Sequence, residues 1–392
     1  MKVYVWTGGH TIAASLFENP PQGVEVVSNV QRYSRRTGIS GERMFVIPTA
    51  AKRVFDGIVY GAGVPRFLPS LPKADLIHTV SGLLPLVPIP WVTSISMPSS
   101  FFGLNDGWSE SRRRLWSLRK ILRSDNCRCV TCFSRSTFNG MRTLLQSPKC
   151  DEIDSKLDVL YPAIDARRSV PKRKVDDGRF RILFVGNHFF DKGGRELHRA
   201  VARLAGRYDV LLDLVTDAPP HHRKALESYM RSHQEEWVRW HVPGVTRKRL
   251  MEEFYPSADV FVMCSYMEVF GFVFLEAMAS GLPVIGANVY AQREIVSDGV
   301  NGYLIDVPVS PFEGDPQLRT PRSEDQYRRV ILDQSVFDPV VDQMTERLAT
   351  LIEDGSIRNR MGGESTRATT EGRFGLAHRN RQLARIYRKA LE

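Results

Sequence analysis

Short apolar runs alternate with polar, helix-compatible segments along this chain, and the alternation restarts about halfway. In the first half Lys2–Trp6, Val24–Ser28, Met44–Ile47, Ala74–Thr79, Trp91–Ser96, Arg128–Phe133 and Leu157–Tyr161 read as strands, and Pro162 stops the last of them. A cap region at Ser134–Ser136 precedes a helix near Thr137–Leu145. The polar, basic stretch Arg167–Arg179 reads as a linker. Beyond it, strands at Arg181–Val185, Val210–Val215, Val238–Val242 and Asp259–Cys264 alternate with helices at Arg195–Ala205, Pro220–Arg231 and Arg247–Tyr255. Strands that are apolar on both faces, with helices between them, indicate parallel sheets covered on both sides. The expectation is an α/β chain of two open-sheet domains, with ligands at the carboxyl ends of strands and in the cleft between the domains.

Length supports two domains, and 42% hydrophobic with 25% charged residues is ordinary globular composition. The net charge of +10 admits four readings: a nucleic-acid surface, a membrane surface, a cleft for an anionic substrate, or plain solubility. No nucleic-acid recognition motif accompanies the charge, so no nucleic-acid partner is expected. No run approaches the roughly 20 apolar residues that span a bilayer. Leu83–Met97 comes nearest, and Pro85, Pro88 and Pro90 break it. A cytoplasmic protein is expected. Ser111–Arg123 carries Leu115, Leu118 and Leu122 on one side among six basic residues, which allows either a sheet-covering helix or peripheral membrane contact. Of the five cysteines, Cys127, Cys129 and Cys132 cluster; on a regular strand the first two share a face and the third takes the other. Reduced core thiols fit this spacing better than a zinc site. Val307–Arg322 reads as a proline-rich surface loop, and Leu383, Ile386, Tyr387 and Leu391 mark one face of a closing helix.

The chemistry concentrates in Met267–Leu304. Glu268 lies in a loop after a strand, Gly271 opens a helix, Glu276 follows within that helix, Gly281 ends it and Leu282–Gly286 resumes a strand. The first N–H groups of a helix have no internal partner and lie at the positive end of its dipole, which suits phosphate. Glu276 can accept hydrogen bonds from two ribose hydroxyls. Upstream, the loop GNHFFDKGG after Val185 carries Lys192, either a solvated lysine or a point charge for a diphosphate. The turn Thr7-Gly8-Gly9 after the first strand is either a plain tight turn or a phosphate-facing one.

The KGG loop, the string EVFGFVFLEAMASGLPVI, Glu294 and the Asp298–Gly302 turn together resemble the retaining glycosyltransferases of family 4. The likeness is close over Arg181–Leu304; elsewhere it rests on topology, the segment Tyr161–Asp165 and the closing Ile386–Leu391. It implies a GT-B fold, in which two Rossmann-like domains face a central cleft and a C-terminal helix returns to the first domain. The corresponding boundaries are an acceptor domain 1–165, a linker 166–180, a donor domain 181–372 and a returning helix 373–392. It implies transfer of a sugar from a nucleotide-diphosphate donor to a glycan, lipid-linked or small-molecule hydroxyl, with no metal and no cofactor beyond the donor. The roles implied are catalytic for Glu268, beside the donor sugar, and for Lys192, on the departing phosphate. Glu276 would take the ribose and the amides near Phe270, Gly271 and Phe272 the sugar and diphosphate. Thr216 and Val245 would flank the nucleobase, and Gly8 and Gly9 would face the phosphates. Asn187 takes the donor-binding position where the family usually carries arginine, with His188 and Arg195 as candidates to compensate, and Ser96 and Met97 stand where the family often has a histidine. His78 and His10 remain as loop or core histidines. These departures leave open a non-catalytic, nucleotide-sugar-binding subunit of a glycan pathway.

Overall fold

The computed structural model describes residues 1–6, 16, 18–28, 73–80, 82–85, 87–102, 112–145, 151–170, 177–220, 222–266, 268–308 and 335–392. Gly8, Gly9, His10, the strand expected at Met44–Ile47 and most of Val307–Arg322 lie outside them. The chain divides into two compact units: Met1–Pro162 with Ala377–Glu392, and Ala163–Pro316 with Arg322–Leu376.

The first unit is built on a parallel sheet of β1 (Lys2–Trp6), β2 (Glu25–Ser28), β3 (Leu76–Val80), β4 (Trp91–Ile95), β5 (Cys127–Cys132) and β6 (Leu157–Val159), ordered β2-β1-β3-β4-β5-β6. Every residue of β3 and β4 is buried, as strands covered on both faces must be. Helix α1 (Arg112–Arg123) packs through Leu118 and Leu122 into a core that contains Trp91, Phe101 and Met141. Helix α2 (Arg135–Leu144) begins two residues earlier than the pattern implied, because Ser134 caps it by accepting from the Thr137 N–H.

The cysteine parity differs from the regular-strand expectation. Trp91 pairs with Cys127 but Val92 with Cys129, so Arg128 is an extra, bulged residue. The bulge reverses the alternation, and Cys127, Val130 and Cys132 enter one core while Cys129 is half-buried. Burial holds the Cys127 and Cys129 thiols up at about 12 and that of Cys132 well above its usual value, so all stay protonated. Among the described residues no group of three or more His, Cys, Asp or Glu side chains is placed to hold a metal.

The closing helix (Leu376–Leu391) packs on this first sheet. Leu383, Ile386 and Tyr387 are buried, whereas Leu391, expected on the same face, is 43% exposed at the last turn. The Tyr387 hydroxyl meets His78 Nδ1 at 2.6 Å, His78 Nε2 meets Ser94 Oγ at 2.7 Å, and Ser94 Oγ meets Thr131 Oγ1 at 2.6 Å. His78 is thus a core histidine; burial, with the Arg379 charge, lowers its pKa to about 3 and keeps it neutral.

The second unit repeats the plan with β7 (Phe180–Asn187), β8 (Val210–Asp217), β9 (Val238–His241), β10 (Val260–Met263), β11 (Val284–Ala287) and β12 (Gly302–Ile305). All are parallel, in the order β12-β11-β10-β7-β8-β9. Gly186 and Asn187, expected in a loop, extend β7 by pairing with Thr216 and Asp217. The strand order reverses between β7 and β10: the chain leaves β7 toward β8 and β9, then returns to the opposite side. Such a switch point opens a crevice at the carboxyl ends of the two strands.

Candidate active site

Both sequence elements with candidate chemistry emerge at that switch point. The loop after β7 ends in Lys192-Gly193-Gly194 and helix α3 (Gly194–Ala205). Gly193 has φ 74°, and a Cβ there would lie 2.6 Å from the Cys264 carbonyl oxygen, so the loop lies against the end of β10 in a way only glycine permits. A Cβ on Gly194 would lie 2.4 Å from the Phe189 ring. The Tyr266 N–H donates to the Asp191 carbonyl at 2.9 Å, a second tie between this loop and the segment after β10. Lys192 Nζ therefore reaches Glu268, donating to Oε2 at 2.7 Å, with each side chain about one-sixth exposed (17% and 17%).

Four residues beyond Glu268 the helix Phe272–Ala279 begins, after Gly271 at φ 88°. A Cβ on Gly271 would lie 2.9 Å from the Phe274 ring, so this turn too requires glycine. Phe274 N donates to the Gly271 carbonyl, and the earlier amides of the turn have no intrahelical acceptor. Phe270 is buried against Phe272 and Phe374, with centroids at 5.3 and 6.4 Å, which leaves its backbone rather than its ring for a ligand.

Glu276, in the middle of this helix, is 8% exposed and has both carboxylate oxygens engaged. Arg247 Nε donates to Oε1 at 2.7 Å, and the Tyr255 hydroxyl donates to Oε2 at 3.1 Å. These two partners lie on one helical run, 247–257, whose central Leu250–Phe254 segment is a π turn. In a regular α-helix positions eight apart differ by about 80° around the axis. One extra residue in a π turn makes that spacing equivalent to seven, nearly in line. The sequence pattern marked only a helix at Arg247–Tyr255 and missed both residues as partners of Glu276; the available signal was Tyr255 beside Phe254 at the end of that helix, since a tyrosine that is buried requires an acceptor for its hydroxyl.

The remaining expected residues fall as follows. Asn187 is exposed at the end of β7. Thr216 is buried and donates its hydroxyl to the Gly186 carbonyl at 2.7 Å, so it braces β7 against β8. Val245 is half-buried in the turn after β9; a Cβ on neighbouring Gly244 would lie 3.8 Å from the Thr216 carbonyl, so the turn that carries Val245 runs past the end of β8. Arg195 does not replace the missing arginine: it is buried, paired with Glu196 at 2.6 Å, and its guanidinium lies 5.5 Å from the Phe337 ring centre. His188 is half exposed at φ 68°, with Nδ1 3.6 Å from Asp191. Ser96 is half-buried at the end of β4, its carbonyl accepting from Thr137 Oγ1 at 2.7 Å.

Residues 179–311 match the model of the glycosyl transferases group 1 family. The matched segment resembles a group 1 glycosyltransferase domain. It contains the whole site just described. The chain is 30% identical over 261 residues to the uncharacterized glycosyltransferase MJ1607 of Methanocaldococcus jannaschii, covering 59% of this chain and 62% of that one. It is 30% identical over 162 residues to the D-inositol 3-phosphate glycosyltransferase of Pseudarthrobacter chlorophenolicus, covering 38% of each. The chain thus spans about three-fifths, or less, of the length of these relatives. The structure of Anabaena Alr3699/HepE in complex with UDP and glucose covers 99% of each chain at a TM-score of 0.63 and 17% identity. That of WaaG, a glycosyltransferase involved in lipopolysaccharide biosynthesis, covers 98% of this chain and 99% of its own at a TM-score of 0.58 and 14% identity. The fold of the two units is that of the GT-B glycosyltransferases.

Proposed function

We propose that the protein is a glycosyltransferase that takes a sugar from a nucleotide-diphosphate donor and delivers it, with retention of configuration, to an acceptor hydroxyl. The observation that carries this reading is the Lys192–Glu268 pair at the β7/β10 switch point, beside the start of helix Phe272–Ala279. Breaking a bond between a sugar carbon and a diphosphate leaves negative charge on the phosphate and positive charge on the sugar ring. Lys192 and the first-turn amides answer the former, and Glu268 answers the latter. Donors fixed in place before the reaction commonly lower such a barrier by several kcal/mol. This arrangement needs no metal to hold the leaving group. Glu276 accepts from the ribose, and the Thr216–Val245 neighbourhood receives the base. That HepE was solved with UDP and glucose supports a nucleotide sugar as the donor class.

A glycan or lipid-linked acceptor fits the second part of the proposal. Trp116 (64% exposed) lies with Lys120 and Arg123 on the outer face of α1, with Lys120 Nζ 5.4 Å from the Trp116 ring centre. An exposed indole among basic side chains supports peripheral contact with an anionic membrane surface. No described helix is long and apolar enough to cross a membrane.

A thermal-shift screen of nucleoside diphosphates and their sugars tests the donor, because a ligand bound by the folded state raises Tm by mass action. NMR of the anomeric proton of the product tests retention; an inverted product overturns it. Donor binding with neither transfer nor slow donor hydrolysis would instead establish the non-catalytic subunit.

A further inference from the structure

Glu276 raises a problem that the donor reading alone does not solve. Its two oxygens already carry an arginine and a tyrosine, yet a ribose must donate to both. The two partners differ in how they are held. Tyr255 is wholly buried, its ring packed 6.1 Å from that of Phe261 on β10, and burial with the Glu276 charge raises its pKa well above the usual tyrosine value. It stays a hydroxyl donor that has nowhere else to turn. The Arg247 side chain is 59% exposed while the carboxylate beneath it is 8% exposed. The side chain that covers Glu276 is thus itself more than half in water, and leaving costs it little.

We propose that Glu276 is kept preset for ribose by these two residues in opposite ways: Tyr255 is a fixed positioning residue that aims the carboxylate, and Arg247 is a removable cover displaced by the incoming ribose hydroxyls. The proposal rests on Glu276 being the ribose acceptor. The geometry explains why a nearly buried carboxylate remains available. Without Arg247 it would face solvent bare, and without Tyr255 it would rotate about its last bonds. A carboxylate has about four acceptor positions, so the Tyr255 bond leaves room for hydroxyls once Arg247 departs. The π turn puts cover and positioner on one face of one helical run, so a single element serves both tasks.

Calorimetric titration with uridine and guanosine diphosphates, each beside its 2′-deoxy form, tests this. Arg247→Ala is expected to bind the better of the two diphosphates about two- to fivefold more tightly, the worth of an exposed ion pair no longer displaced. Tyr255→Phe is expected to keep its fold and to lose about threefold or more of the discrimination between the ribose and deoxyribose forms, a readout that a packing role alone does not move. If the unaltered protein binds neither diphosphate, or does not distinguish ribose from deoxyribose, the ribose reading falls and the proposal with it. If it does distinguish them while Arg247→Ala binds equally or more weakly, only the cover is overturned, and Arg247 is then a donor ligand or a bystander. Full discrimination in Tyr255→Phe overturns the positioner alone. Should that variant fail to fold, Arg247→Ala still decides the cover.

Discussion

Lys192 and Glu268, 76 positions apart in sequence, meet at 2.7 Å where strands β7 and β10 end side by side. The strand order brings them together: β10 returns to pair with β7 after the chain has built β8 and β9 on the far side. Lys192→Ala is expected to lower turnover by a factor on the order of 10² to 10³, the usual loss for one preorganised donor. Melting is expected to fall as well, because the pair is mostly buried and Glu268 loses its cation. Steady-state release of nucleoside diphosphate checks the first, and a melt the second. Preserved turnover would remove Lys192 from the reaction.

Gly193→Ala should injure the same pair from a distance. The residue would have to hold φ 74° with its Cβ against the Cys264 carbonyl oxygen. A left-handed backbone at a non-glycine residue costs about 1–2 kcal/mol before any clash. The expected result is a lower Tm together with a turnover loss approaching that of Lys192→Ala, since the loop must move off β10. A variant that melts lower but turns over normally would separate loop packing from lysine placement.

Glu276→Gln keeps the size of the side chain and removes its charge. Hydrogen bonds to a charged group are worth about 1.5–3 kcal/mol, so nucleoside diphosphate affinity is expected to fall by roughly 10- to 100-fold. Titration calorimetry reads this directly.

Stability should fall in mild acid through His78. Its pKa is about 3 in the folded protein, against 6.5 as the ordinary value. Between those values the unfolded chain binds a proton that the folded one refuses, so stability falls as pH falls from about 6.5 toward 3. From pH 7 to pH 5 the loss is about 2 kcal/mol. His198, also lowered by burial, adds in the same direction. Urea midpoints at the two pH values, for the native chain and for His78→Gln, measure the share; an unchanged pH slope in the variant would contradict it.

Activity is expected to survive a chelator, because lysine and backbone amides meet the leaving charge. Loss of activity in EDTA, restored by manganese, would point to another mechanism.

The strands were legible because buried parallel strands are continuously apolar, and the glycine-opened helix at Phe272 was legible because so few residues tolerate its turn. What escaped depends on partners far along the chain. The bulge at Arg128 is defined by how β5 meets β4, and it moved Cys132 to the face of Cys127. Arg195 was a candidate cation for the site by position, but the adjacent Glu196 draws it into the interior. The carboxylate of Glu276 was readable as an acceptor; its occupancy by Arg247 and Tyr255, 29 and 21 positions earlier, was not. A π turn leaves no mark in hydrophobic periodicity, and it set that alignment.

The path of the chain has one more consequence. Residues 163–376 are threaded between two stretches that fold together, the last of them docked by Tyr387 on His78. A nick anywhere in that insertion leaves the first unit divided between two peptides, which then hold together only by non-covalent pairing. Separating the two halves for independent study thus calls for excising the middle and rejoining the flanks, not for a single cut.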